Sequence, residues 1–599
     1  MMRRRRWTIL PSAVLTGSLL LTACTNGGGD GDPEGADASA PAATNGETAS
    51  QSPAANGEGK PKWDFKYDPP ITITTAVVDE NRPNAFKPGE TLTNNSHSRW
   101  MEENLGIITK FDWIVGKFED ADTKIRLALS TNGKLPDTFT AQGDILKDLL
   151  KADRLLPLND AIEKYAHPKL KEAIEKYSYT MPEATKDGKI YGIPRFGMGD
   201  EGTVMWIRKD WLEKLSLQPP TTIAELENVL KAFSERDPNG NDKDDEVGLA
   251  VPLKEGPWTW MGQTDAIAGA FSKQLLNTYD IKLFWNEDEN GNLVYGAVHP
   301  DAKKYLETMT SWMAKGYMDK EAGIKDPSKA SELAVSGMAG VMFGPYWMGS
   351  WPLGDTAKVD PNAQWQAYPL PAGPDGLKGK AQKPIYGSFS VFSKDFKNIE
   401  AWFAYYNKLL AKNLGPEDPY FDPRFEKGFH EGYDYVIKDG KVITGNYEAA
   451  GVPKEQWPLP DGASIDMRWM VYPLTGTGNP LLPYMNAEAI KKFTADPNAE
   501  ATSPIEQSVK GLNAAQLAAA SVAVSEQGLE IPNRYTGPLT DGMAKHGEFL
   551  QKLATESYLH IIYGEKPLSS FDEFVAQFYK NGGDVITKEV NEWYKANKK

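Results

Sequence analysis

The chain of 599 residues contains one cysteine, Cys24, so neither an intrachain disulfide nor a thiolate metal cluster can form. Histidine is scarce as well. His97, His167, His299, His430, His546 and His560 lie apart without ligand spacing, and no HExxH pair occurs. Basic residues are outnumbered, 66 against 82 acidic ones, for a net charge of −16. A chain so acidic does not hold nucleic acid through its phosphates, and no nucleic-acid partner is expected. No serine has glycine two residues away on both sides, which removes the hydrolase nucleophile elbow. Gly379-Lys380 is followed by Ala381 and lacks the earlier glycine of a phosphate loop. A glycosidase carboxylate pair has no local spacing rule, so the acids leave that chemistry open. The longest apolar run, Trp7 to Leu21, is too short and too soon interrupted to span a membrane stably.

That run follows Arg3-Arg4-Arg5-Arg6, and residues 1–23 read as a secretory signal peptide. It ends in Leu21-Thr22-Ala23-Cys24, which resembles the lipobox of bacterial lipoproteins. That resemblance implies a diacylated, palmitate-bearing Cys24 at the mature N-terminus, with two chains giving a durable anchor. Residues 24–62 then form a lipid-anchored linker. Thr25 to Lys60 is Gly, Ala, Asn, Ser, Pro and acid, too polar to fold. Together these segments place the remaining body at the extracellular face of the cell membrane.

The body is 40% hydrophobic over the whole chain and rich in tryptophan, with 17, and its length calls for more than one lobe. Ile71 to Val77 reads as a strand, Ser98 to Leu105 as a helix closed by Gly106, and Phe111 to Val115 as a second strand. Helix Thr123 to Ser130 leads to a short strand at Leu135 to Phe139, and Asn159 to Tyr165 is helical. A strand from Asp187 is expected to stop at Pro194. Asn290-Gly291 between apolar flanks predicts a hairpin. Ser336 to Pro345 reads as a buried strand, Tyr386 to Phe392 as an alternating one, and the end of the chain as amphipathic helix. Strands alternating with helices predict α/β lobes with largely parallel sheets.

Ser234 to Gly248 carries Asp237, Asn239, Asn241, Lys243, Asp245 and Glu246 at a spacing that can surround a hard cation with oxygen. It opens as an EF-hand loop does, but Asp242 stands where glycine belongs and no glutamate sits at the twelfth position. By itself the loop is either a Ca²⁺ site or an acidic turn.

The order LSTNGKLPD, LLPLNDAIEKY, DGKIYGIP, WIRKDWLEKL and PPTTIAELENVLKAF resembles the extracellular solute-binding proteins of ABC importers, family 1 type. More narrowly it resembles the large lipoprotein branch that includes the alginate-oligosaccharide binders. The resemblance implies an α/β, two-lobed periplasmic-binding-protein-like (type II) fold with a ligand cleft between lobes. It implies a first lobe of 66–193 and 346–395 and a second of 194–345 and 396–599. It further implies a structural Ca²⁺ in the loop above, an oligosaccharide ligand, ABC permease partners, no enzymatic activity and a monomer. A surface glycosidase or lyase and an adhesion lipoprotein stay open beside it.

Sugar rings need flat aromatic faces with polar groups at the rim. Trp258, Trp260, Tyr346, Trp347, Trp351, Tyr386 and Trp469 lie mostly in Gly/Pro-rich turns, where core residues are less expected, and Asn95, His97, Arg195, Asp265 and Arg468 are the polar candidates. Trp402 sits in a periodic element and is assigned to the core.

Overall fold

Two β-sheets, each with its own apolar core, organise the computed structural model. It describes residues 66–78, 86–196, 202–243, 245–254, 256, 259–275, 285–381, 386–428, 430–433, 435–443, 447–448, 450–457, 474, 482–531 and 533–598. The signal peptide 1–23, the linker 24–62 with Cys24, and Trp258, Arg468 and Trp469 lie outside them, as does the Tyr386 side chain.

The strands used below, in chain order, are β1 (Ile71–Val78), β2 (Ile107–Val115), β3 (Thr138–Ala141), β4 (Gly192–Phe196), β5 (Val204–Arg208), β6 (Val247–Leu249), β7 (Asn286–Glu287), β8 (Leu293–Val294), β9 (Ala339–Gly344), β10 (Trp365–Tyr368) and β11 (Tyr386–Phe392). The helices used below are α1 (Ser96–Leu105), α2 (Gly143–Lys151), α3 (Ile223–Glu235), α4 (Ile399–Leu414), α5 (Ala514–Ser525), α6 (Asp541–Ile562), α7 (Ser570–Phe578) and α8 (Asp584–Asn597). One sheet has the order β2-β1-β3-β11-β4 and the other β10-β5-β9-β6.

The predicted largely parallel pairing holds only in part. β1 runs parallel to β2 and β3, and β6 to β9. β11 is antiparallel to β3 and β4, and β5 to β9 and β10. β5 and β11 each enter their sheet from the other lobe, and so run against their neighbours. Pro194 does not end its strand: β4 continues to Phe196, with Pro194 opposite Phe389. β4 is an edge strand, where a missing N–H leaves no inner ladder bond unmade.

Local signals held well elsewhere. Asn95 caps α1 in a capping box with Ser98. Gly106 ends that helix at φ 63, where a Cβ would meet the Tyr67 carbonyl oxygen at 2.1 Å. Only glycine fits there. β7 and β8 form the predicted hairpin, pairing Leu293 with Glu287, and Gly291 takes φ 76.

The lobe boundaries need correcting. Residues 346–395 were assigned to the first lobe, yet Met348, Leu353 and Ala367 pack in the second sheet's core and β10 pairs with β5. The chain rejoins the first sheet only at β11. Residues 396–599 were assigned to the second lobe, yet Trp402, Tyr405, Phe425, Leu474 and Leu482 share a core with Tyr67, Ile73 and Trp100. α4 is buried on nearly all sides, which is why its sequence reads as apolar without a clear stripe. The chain is back in the second core by Ala519 of α5. The lobes also touch directly: the Lys147 ammonium of α2 donates to Asp541 at the start of α6 at 2.6 Å.

Candidate ligand-binding site

Both sheets present side chains where their strands end and the chain passes from lobe to lobe. In the first lobe, Arg195 on β4 donates from Nη1 to Thr140 Oγ1 of β3 at 2.9 Å and to Ser388 Oγ of β11 at 3.1 Å. These are three neighbouring strands, and Thr140 and Arg195 lie near the carboxyl ends of two that run the same way. Ligands of open α/β sheets sit outside the carboxyl ends. Burial pushes the Arg195 guanidinium down to about 10, still charged at neutral pH.

In the second lobe, β9 ends at Gly344 and the chain turns through Tyr346–Gly349. The Trp206 indole N–H fixes that turn by donating to the Pro345 carbonyl at 3.2 Å. The amides of Gly262 and Gln263 donate to the Phe343 carbonyl at 2.9 and 3.2 Å, which holds the loop carrying Trp260 at the end of β9. Gln263 is bonded in turn to Thr203, at the entrance to β5.

This frame brings three indoles together. Ring centroids lie 5.8 Å apart for Trp260 and Trp347, 6.2 Å for Trp347 and Trp351, and 6.5 Å for Trp260 and Trp351. The planes are within 27°, 18° and 10° of parallel. Nearly equal spacings rule out a column, whose outer rings would be twice as far apart. The indoles overlap instead as offset tiles. Trp347 is half-buried, while Trp260 and Trp351 are 46% and 48% exposed. Two large, half-open aromatic faces at the end of a strand are out of place in a core.

The model of the bacterial extracellular solute-binding proteins matches residues 86–412, more than half the chain. The chain belongs to that family. Among its relatives is the polygalacturonan/rhamnogalacturonan-binding protein YtcQ of Bacillus subtilis (strain 168), 26% identical over 79% of this chain and 83% of YtcQ. Another, lipoprotein LipO of the same organism, is 23% identical over 83% of this chain and 88% of LipO. The alginate-binding protein AlgQ2, solved without calcium ion, superposes with a TM-score of 0.58 over 88% of this chain and 99% of AlgQ2. At 17% identity that likeness shows the fold alone: a two-lobed α/β solute-binding protein.

Within this solute-binding protein, the remaining predicted residues divide. Asp265 is half-buried at the start of a short helix, beside the Thr264 hydroxyl that hydrogen-bonds Tyr305 at 2.8 Å. Tyr346 packs between two core clusters. Asn95 and His97 belong to the first lobe's interior, contrary to their assignment to the ligand. The Asn95 amide is spent on the backbone of α1 and its approach. His97 is fully buried, 2.9 Å from His430 and 2.9 Å from the Tyr405 hydroxyl. Both look available in sequence because they stand in a polar turn, which folds inward as a helix cap. Thr140, Ser388, Thr203 and Gln263 escaped the sequence reading. Small polar residues at strand ends have no spacing signal, although Thr140 and Ser388 each alternate with a buried phenylalanine.

The acidic loop is at the other end of the second sheet, where Val247 of β6 pairs with Ala339. Asp237 Oδ1 accepts from the amides of Gly240 and Asn241 at 2.8 and 3.0 Å, and its Oδ2 from Asp242 at 3.1 Å. Asn241 donates to Asp245 at 3.0 Å, and Asn239 donates to the Gly337 carbonyl at 3.2 Å. Lys243 is exposed and its amide donates to Asn241 Oδ1 at 2.8 Å. Asp242 takes φ 58, the left-handed conformation that the EF-hand glycine would supply. At that one position the departure in sequence is no departure in backbone conformation. Glu246 is buried, its Oε1 has no hydrogen-bond partner, and burial with Asp237 and Asp245 nearby raises its pKa. Among the described residues, no three His, Cys, Asp or Glu side chains already form a metal cage.

Proposed function

We propose that this solute-binding protein captures an oligosaccharide between its lobes and presents it to the permease of an ABC importer, without chemical turnover. The observation that carries the reading is the tiled platform of Trp260, Trp347 and Trp351. A pyranose offers one apolar C–H face and a rim of hydroxyls, and two neighbouring indoles offer surface for more than one ring. Arg195, Thr140 and Ser388 supply donors from the opposite lobe. Hinge bending between the lobes would close one set on the other. The carbohydrate names of YtcQ and AlgQ2 support the ligand class. The lipoprotein LipO supports an anchor at Cys24, which would hold the body outside the membrane.

The acidic loop is read as a structural Ca²⁺ site. Asp237, Asn239, Asn241, Asp245 and Glu246, with the Lys243 carbonyl, would hold the ion. The unpartnered Glu246 oxygen fits a cation ligand, and a bound ion would offset the burial and the carboxylate repulsion that raise its pKa. Its place at the far end of β6 from the indoles makes its contribution one of stability.

The test is a glycan array followed by calorimetry on the full chain, with the ligand recovered intact. A chain that binds no glycan, or that releases cleaved products with turnover, overturns this reading.

A further inference from the structure

A groove of about 580 Å³ opens on the second lobe between the β7–β8 hairpin and α8, apart from the tryptophan platform. Its accessible apolar wall is Val294 and the ring of Tyr579, which is 38% exposed. Tyr579 is the solvent end of an aromatic series. It packs edge-on to Phe578 at 5.4 Å, Phe578 stacks on Tyr295 at 5.6 Å, and Tyr295 lies against Trp285 at 5.9 Å. The other three rings are buried.

Tyr579 also opens the kink Tyr579–Gly583 between α7 and α8, where Asn581 and Gly582 leave helical φ/ψ. The kink is locked by close packing: a Cβ on Gly582, at φ 112, would meet the His546 ring at 2.5 Å, and one on Gly583 would meet Phe578 at 2.3 Å. The ring is therefore presented at little further cost in entropy. Around it stand the Asn292 amide, Thr587, two carboxylates (Asp584 and Glu592) and two ammonium groups (Lys588 and Lys595). Two acids against two bases leave the rim without net charge while filling it with donors and acceptors. That chemistry suits an uncharged polyhydroxyl ring stacked on Tyr579, and disfavours a phosphate or a polyanion.

We propose that this groove is a second, open carbohydrate site that takes one unit of a neutral polysaccharide chain. It would hold the protein on the polymer from which the oligosaccharides at the platform derive. The proposal rests on the carbohydrate reading of the platform, and its test separates the two sites.

The test is affinity electrophoresis of the full chain carrying Cys24→Ala in native gels containing soluble inulin, glucomannan or dextran, with polygalacturonate as the charged control. At least one neutral polymer should retard the protein. Tyr579→Ala should weaken that retardation tenfold or more, and Trp260→Ala and Trp351→Ala should leave it unchanged. Should Tyr579→Ala melt early, the double variant Asn292→Ala and Lys595→Ala, whose side chains stand at the rim, takes its place. The proposal is overturned if no neutral polymer retards the chain, if retardation survives these groove variants, or if it is lost in Trp351→Ala. Retardation by polygalacturonate alone, removed by salt, overturns it too. Failure at the platform leaves a different mark: polymer retardation persists while calorimetry with short glycans stays flat.

Discussion

Replacing Trp351 by alanine separates a ligand platform from a packing residue on two measurements. The side chain is 48% exposed, and its other half lies against Trp347 and Trp260. An indole can bury on the order of 200 Å², so about 100 Å² waits for a ligand, worth roughly 2.5 kcal/mol at ~25 cal/mol/Å². Sugar faces are only partly apolar, so the loss should fall at about 1–3 kcal/mol, roughly fivefold to more than a hundredfold in affinity. In the free protein the variant loses ring contacts worth about 0.5–1.5 kcal/mol each at most, because the site is open to water. For a lobe of this size that lowers the melting temperature by only about 2–4 °C per kcal/mol. Calorimetry with the best glycan from the array and a thermal melt of the free protein give both numbers. Trp260→Ala, 46% exposed in the same stack, should behave alike. The reasoning is refuted if both variants bind within threefold of the parent. It is equally refuted if both melt far earlier, as a core tryptophan would, at a cost of about 3–5 kcal/mol.

Chelator should lower the melting temperature and Ca²⁺ restore it, by about 2.7 kcal/mol at a hundred times the dissociation constant. Asp237→Ala should abolish that response and leave glycan affinity intact, whereas an unchanged melt together with metal-free protein would reduce the loop to a turn. Cys24→Ala should move the protein from the membrane fraction to the medium; unchanged fractionation would remove the anchor. Burial, then His430, holds His97 well below the ordinary histidine value of about 6.5, so the fold keeps it neutral while the unfolded chain takes up a proton. Its contribution is therefore complete above about pH 6.5 and is lost as pH falls below that value. Melting temperature should drop from about pH 7 to pH 5, and His97→Phe should flatten that slope while melting earlier at pH 7; an equal slope in the variant would reject the assignment.

Much of the fold was legible because local rules and tertiary structure agreed. The β-branched run of β1, the Asn290-Gly291 turn and the Gly106 stop after α1 each announced themselves, and each formed. Lobe membership was not legible. Trp402 reads as a core residue from its periodicity, but nothing local says which of two cores it enters, and three crossings of the chain decide that. The site was half visible. Trp260, Trp347 and Trp351 stood out because tryptophan in a Gly/Pro turn is unusual, while Thr140 and Ser388 became site residues only through the order of β3, β11 and β4. Asn95 and His97 misled for the opposite reason, since the polar turn that displays them in sequence is the one that buries them.

The strand order has a consequence for how the protein is made. β11 fills the gap between β3 and β4, yet it is synthesised nearly two hundred residues after β4. Until it arrives the first sheet is two pieces with bare edges, and α4, which buries one of its faces, comes later still. The second core waits in the same way for α7 and α8 at the end of the chain. A nascent chain in this condition cannot close either core, so it stays threadable through a narrow translocation channel for most of its synthesis. Truncated chains ending before residue 386 should accordingly be digested by protease as rapidly as unfolded protein, and a resistant fragment of 66–196 would show that the first lobe folds without its central strand.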